Sequence, residues 1–271
     1  MKRNLFAVGL CLLCSHCMAW GLVSPTGSRS SSLGNCSVAL HDFWSILNNP
    51  AGMADWNGMA IGISYENRFS MKELSFVNAA FATPINNIGA LGLTFSRFGF
   101  SDFSENKIGI SYARSFGPHL KIGLQIDYLY FNFSNAYGKR RTATFELGVQ
   151  SDITDKLCIG AYIFNPLNVK IKTTIKEKIP IVLRFGLSYK ITNDFLGTTE
   201  LEYNSDKNMD YRIGLEYNVL KGFSLRVGVC TNPATACFGV GYSIKWFIID
   251  VSAKMNQYTG VSFQSSMIFR L

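Results

Sequence analysis

The sequence predicts an all-β fold, an antiparallel transmembrane β-barrel of about 14 strands with an N-terminal hatch segment inside the lumen. Three observations lead there. Apolar residues recur at every second position in short segments from residue 58 onward. The connections between those segments alternate between tight and long. The chain is also apolar, with 48% hydrophobic and 16% charged residues and a mean hydropathy of +0.13. Yet beyond the N-terminus it has no apolar run of about 18 residues, the length a membrane helix needs.

The first residues read as an export leader. Lys2 and Arg3 precede the apolar run Leu5–Leu13, and Ala19 offers a small-residue cleavage site, so residues 1–19 are expected to be a signal peptide cut after Ala19. Cys11, Cys14 and Cys17 lack the small-residue context of a lipoprotein signal, and no lipid anchor is expected. Loss of Lys2 and Arg3 lowers the formal charge from +8 to +6. Export combined with the period-two segments leads to the expectation of an outer-membrane location in a Gram-negative cell, and that location excludes nucleic acid as a partner.

Residues 20–57 are expected to form the hatch. Val38, Leu40, Phe43, Trp44 and Leu47 give Val38–Leu47 the apolar stripe of a short helix. Asn49 before Pro50 ends that helix in extended geometry, and Gly52 permits a backbone turn toward the first strand.

The barrel occupies residues 58–271. Its segments lie at 58–66, 72–83, 88–98, 106–115, 119–131, 142–152, 156–164, 179–191, 194–204, 208–218, 222–230, 236–245, 246–256 and 260–271. "IPIVLRFGLSYK" (179–190) is typical, with Ile179, Ile181, Leu183, Phe185, Leu187 and Tyr189 on one parity and Arg184 on the other. Lipid takes the first face and a wet lumen the second. Residues 72–83, "KELSFVNAAFAT", have no clean face, and with Gly89, Gly92 and Gly99 they mark either a weakened wall or room made for the hatch.

Turns at 84–87, 116–119, 154–156, 192–194 and 220–222 are tight, whereas 67–73, 133–141 and 165–178 are longer, the asymmetry of an outer-membrane barrel with its short side in the periplasm. Tyr65, Tyr112, Tyr128, Tyr130, Tyr189, Tyr203, Tyr217, Tyr242 and Phe269 lie near strand ends on the apolar parity, as interfacial girdles do.

The inward parity carries Lys121, Asp127, Glu146, Arg184, Glu200, Glu202, Arg212, Glu216, Arg226, Asp250 and Lys254. This mixture is either a mutually neutralising lining or a conduit for a polar solute. Lys170, Lys172, Lys176 and Lys178, with "GKRR" at 138–141, form either a solvated loop or a contact with lipopolysaccharide phosphates beside the membrane lipid. Cys36, Cys158, Cys230 and Cys237 show no metal-ligand spacing. Cys230 and Cys237 face the same way across "TNPATA", as a disulfide or as two thiols. His41 and His119 have no evident catalytic partner, which argues against an enzyme, and no cofactor or metal is expected.

"GSRSSSLGNCSVALHDFWSILNNPAGMA" resembles the opening of the PorV/PorQ family within the FadL-like outer-membrane barrels. Asn49, Pro50, Ala51 and Gly52 match its "NPAG" motif, with Ala39 and Asp42 in register. Residues 179–229 are similar to the family's "LRLGLSY…LEY…RLGLEY" stretch. The resemblance implies a 14-strand barrel with an N-terminal hatch. It further implies a docking or accessory component of type IX protein secretion, with secretion-apparatus proteins or secreted cargo as partners. The alternative within the wider group is FadL-like passage of a hydrophobic small molecule.

Overall fold

The computed structural model describes residues 21–85, 88–133, 138–170 and 179–271. Fourteen antiparallel strands close on themselves: β1 (Ala60–Asn67), β2 (Ser75–Ile85), β3 (Gly89–Gly99), β4 (Phe103–Phe116), β5 (Leu120–Phe133), β6 (Lys139–Asp152), β7 (Leu157–Phe164), β8 (Val182–Lys190), β9 (Phe195–Asn204), β10 (Asp210–Leu220), β11 (Phe223–Thr231), β12 (Ala234–Ile244), β13 (Phe247–Asn256) and β14 (Gly260–Arg270). Each strand pairs with its sequence neighbours. β1 closes the ring on β14, from Ala60 opposite Arg270 to Asn67 opposite Phe263. The ladder thus has no free edge, the arrangement that satisfies backbone groups without water.

The period-two pattern is the cause. On β1 and β10 inward and outward residues alternate: Ile213 and Tyr217 face out at 54% and 49% exposure, while Arg212 and Glu216 are buried. The outer surface is consequently a belt of exposed Ile, Leu, Val, Phe and Tyr. Among the described residues no helix is long and apolar enough to cross a membrane, which says nothing of strands.

Residues 21–57 run inside the barrel. They hold α1 (Ser28–Ser32), α2 (Ser45–Asn48) and 3-10 turns at Gly21–Val23 and Pro50–Met53. The helix expected over Val38–Leu47 is therefore mostly absent, although its apolar residues are all buried. The reason is local competition for carbonyls. Gln150 Nε2 on β6 donates to the Val38 and Leu40 carbonyls at 2.9 and 3.1 Å, Asn49 Nδ2 donates to Val38 at 2.7 Å, and Ser45 Oγ donates to Leu40 at 2.9 Å. Those acceptors, which helical N–H groups would otherwise use, belong to the wall and the motif.

Two further expectations change, those for Arg184 and Ile179, and two, those for Gly52 and 72–83, become specific. Arg184 does not face a wet interior: it is 1% exposed, because the luminal segment fills the space it points into. Ile179 lies ahead of β8 rather than on it and is buried, its carbonyl accepting from Asn165 Nδ2 at 2.9 Å, so it does not join the outward face. Gly52 makes no left-handed turn. It is small because a side chain there would meet Ser45 and Gln150. From Ser75 onward the irregular 72–83 segment belongs to β2, in continuous register with β1 and β3, and Lys72–Leu74 form a 3-10 turn ahead of it. Its inward Ala80 and Ala82 are apolar because they pack on Phe43, Trp44, Ile46 and Leu47.

The expected leader 1–19, and Lys172, Lys176 and Lys178, lie outside the described residues.

Candidate functional site

The lumen is divided by what its two walls offer the luminal segment. On the β1–β4 side, small residues (Ala60, Ala80, Ala82, Ala90, Ala113) receive Phe43, Trp44, Ile46 and Leu47. On the β8–β13 side, charged residues receive polar backbone and Arg29. Between them the backbone passes so close to the wall that side chains are excluded. A Cβ at Gly148 would overlap the Asn49 side-chain oxygen, one at Gly123 the Pro50–Ala51 backbone, one at Gly160 the Val38 carbonyl, and one at Gly228 the Gly34 nitrogen. The wall's glycines thus accommodate the segment.

The motif residues sit at the centre of this contact. Asn49 is extended (φ −159°, ψ 98°), as its place before proline requires, and its side-chain oxygen accepts from the Ala51 N–H at 3.2 Å. Its amide nitrogen donates to the Val38 carbonyl and, at 3.3 Å, to Val149 of the wall. Pro50, Ala51, Gly52 and Met53 form the 3-10 turn seated on β5 and β6. Asp42 accepts from Arg29 Nη1 at 3.2 Å.

The predicted luminal charges all point inward, and all but Asp127 pair with an opposite charge. Arg184 binds Glu202 at 2.7 Å; Arg212 binds Glu200, Glu202 and Asp210 at 2.8, 2.9 and 2.8 Å. Arg226 bridges Glu216 and Asp250, and Arg29 adds a second guanidinium to Glu216 at 2.7 Å. Lys254 binds Glu66. Lys107 binds Glu146 at 2.6 Å, with Gln125 donating to Asp127 at 2.8 Å. Of the two arrangements open from sequence, these pairs form a neutralising lining. The network also holds the segment: Glu200 accepts from the Ser37 and Val38 N–H groups, both at 2.7 Å. Arg29, Glu66, Arg68 and Lys107 were not singled out from sequence; inward parity would have found Glu66 and Lys107, but nothing local marks Arg29.

Each end of the lumen keeps a cavity of about 480 Å³. The mouth on the long-loop side has an apolar wall of Val23, Leu74, Phe98 and Phe103. Arg68 stacks over Phe76 and Phe98 at 5.0 and 4.9 Å and donates to Glu66 at 3.0 Å. Lys254, Arg212, Glu202 and Asp210 line the opposite wall. The vestibule is amphipathic, with ionic groups already paired, and its floor is the luminal segment.

At the short-turn mouth Lys121 joins Asp152 at 2.9 Å and also Asp55. His41 Nε2 donates to Asp152 Oδ1 at 3.0 Å, a partner 111 residues away that sequence did not supply. Burial and the Lys121 ammonium hold the His41 imidazole below its ordinary pKa, against the pull of Asp152. His119 Nδ1 donates to the Asp152 carbonyl at 2.7 Å. Cys158 Sγ lies within 4.8 Å of the His41 and Asp152 ligand atoms, a grouping that linear spacing did not reveal. Cys230 and Cys237 both face the lumen as buried free thiols. Lys170 is exposed outside the site.

The fold is shared with solved barrels. The CymD monoaromatic hydrocarbon channel superposes with a TM-score of 0.67 at 13% identity, over 93% of this chain and 99% of its own. The P. putida toluene transporter TodX gives 0.68 at 11% identity, over 92% and 99%. A Pseudomonas aeruginosa FadL homologue gives 0.64 at 11%, over 90% and 96%. At these identities the likeness is one of fold. No family model and no curated protein matches the sequence.

Proposed function

We propose that the chain is an outer-membrane barrel that takes a small hydrophobic molecule into its long-loop vestibule, which faces outside, and admits it inward when the luminal segment shifts. The observation that carries this reading is the vestibule itself: an aromatic and aliphatic wall of Val23, Leu74, Phe98 and Phe103 above a floor made by residues 21–57. Apolar lining with a few fixed polar groups is the usual chemistry of a small-molecule site. The solved hydrocarbon channels with this fold support it. Placement in the outer membrane rests on the exposed apolar belt and the expected leader. Outward Lys139 and Arg141, with Lys170, are suited to phosphates of surrounding lipopolysaccharide. The role is passage or binding rather than catalysis.

The test is saturable binding of toluene to the barrel in detergent, followed by intrinsic fluorescence. Phe98→Asp places a charge in the apolar wall and should abolish saturation. Equal toluene responses in parent and variant would refute the reading.

A second reading is a docking component of type IX secretion. It draws on the "NNPAG" and 179–229 resemblance and on a lumen so filled that the outer rim, not the interior, would meet a partner. Affinity purification of the tagged barrel from outer membranes tests it; recovery without secretion-apparatus proteins or cargo removes it.

A further inference from the structure

We propose that His41 Nε2, Asp152 Oδ1 and Cys158 Sγ form a metal site of the zinc class that clips the luminal segment to the barrel wall at the short-turn mouth. The three come from three places: His41 from the luminal segment, Asp152 from the end of β6 and Cys158 from the start of β7. Asp152 and Cys158 are direct cross-strand partners, so their side chains project together into the lumen. His41 reaches them from the opposite side.

The geometry fits a small tetrahedral ion. At usual Zn–N, Zn–O and Zn–S lengths the donor atoms stand roughly 3.3–3.7 Å apart. His41 Nε2 and Asp152 Oδ1 are 3.0 Å apart, and Cys158 Sγ is within 4.8 Å of both. Against that spacing, Sγ has to close by no more than about an ångström to complete the set. A nitrogen, an oxygen and a sulfur donor select zinc or cobalt over calcium or magnesium, which take oxygen alone. The fourth position opens into the cavity of about 480 Å³, where water can fill it.

The neighbouring charge permits this. Lys121 binds Asp152 through Oδ2, not the proposed ligand oxygen. It also holds Asp55, so an arriving cation leaves the ammonium with a second carboxylate. On binding, the His41 proton moves from Nε2 to Nδ1, which frees the Nε2 lone pair, and Cys158 releases its proton to solvent; the thiolate and the Asp152 carboxylate then supply two negative charges to the divalent ion.

The experiment uses the full chain, purified from membranes in detergent, stripped with EDTA and titrated with Co²⁺. A single equivalent should produce a near-ultraviolet thiolate-to-cobalt charge-transfer band that Zn²⁺ displaces. Cys158→Ser should remove the band, and His41→Ala should weaken affinity by on the order of tenfold or more. Replacing Cys230 and Cys237 together by Ser should leave it unchanged. Absence of the band in the parent, or its persistence in Cys158→Ser, overturns the site. The His41 side chain is about one-third exposed, so His41→Ala is expected to fold, and unaltered affinity in that variant overturns the clip.

Discussion

Gly148→Val tests whether the luminal segment, independently of the barrel, is held by close approach to the wall. Gly148 lies on β6 without a left-handed backbone, so valine is allowed there and is the better strand former. Its ladder partners, Gly123 and Tyr162, pair through backbone that the substitution leaves alone. The new side chain would instead occupy the place of the Asn49 side-chain oxygen and press on Pro50. Overpacking costs about 1–3 kcal/mol. Displaced Asn49 also loses its bonds to the Val38 carbonyl and the Ala51 N–H, each contributing about 0.5–1.5 kcal/mol. The segment's attachment should weaken by on the order of 2–6 kcal/mol, at least about tenfold in its opening equilibrium. Two assays read this: conductance in a planar bilayer should rise, and tryptic cleavage after Arg29 should accelerate, while the heat-modifiable gel shift of the folded barrel persists. Gly197→Val is the control, since a side chain there meets only ordinary contacts at 3.5 and 3.7 Å from Ile191 and Leu215. Parent-like conductance and cleavage in Gly148→Val would refute the reasoning.

Deletion of residues 24–52 should leave a barrel that inserts but conducts, whereas the parent is nearly closed; unchanged conductance would place the seal elsewhere. Ile213→Arg puts a charge on the outer face and should cost about 2–4 kcal/mol near the membrane midplane. Arg212→Met, one residue earlier and facing inward, strips Glu200, Glu202 and Asp210 of their shared guanidinium and should cost on the order of 3–5 kcal/mol. Urea titration of folded barrel in vesicles measures both, and tolerance of either substitution without loss contradicts the inside–outside assignment. Denatured, unreduced protein should label with maleimide at both Cys230 and Cys237; protection of the pair would reveal a disulfide.

Local pattern was enough for the wall. Alternation such as Tyr211, Ile213, Leu215 and Tyr217 against Arg212 and Glu216 states a strand, its two faces and their surroundings at once, because side chains in a strand alternate by covalent geometry. Tight turns between such segments then leave neighbouring strands antiparallel. The count near fourteen and the inward direction of Arg184, Glu200 and Asp250 follow without knowledge of anything distant. What lies inside did not follow. The 72–83 segment looked faceless because its inward alanines answer Phe43 and Trp44, which are distant in sequence, and Val38–Leu47 showed a helical stripe while its carbonyls were taken by Gln150 of β6. Whether Arg184 meets water or a backbone depends on the volume left by residues 21–57, a property of the closed ring. His41, Asp152 and Cys158 meet because a folded-in segment touches two wall strands, and separations of more than a hundred residues carry no local trace of that contact. Propensity and parity act within a few residues; filling a lumen is a matter of volume, charge and hydrogen bonds supplied from everywhere around it.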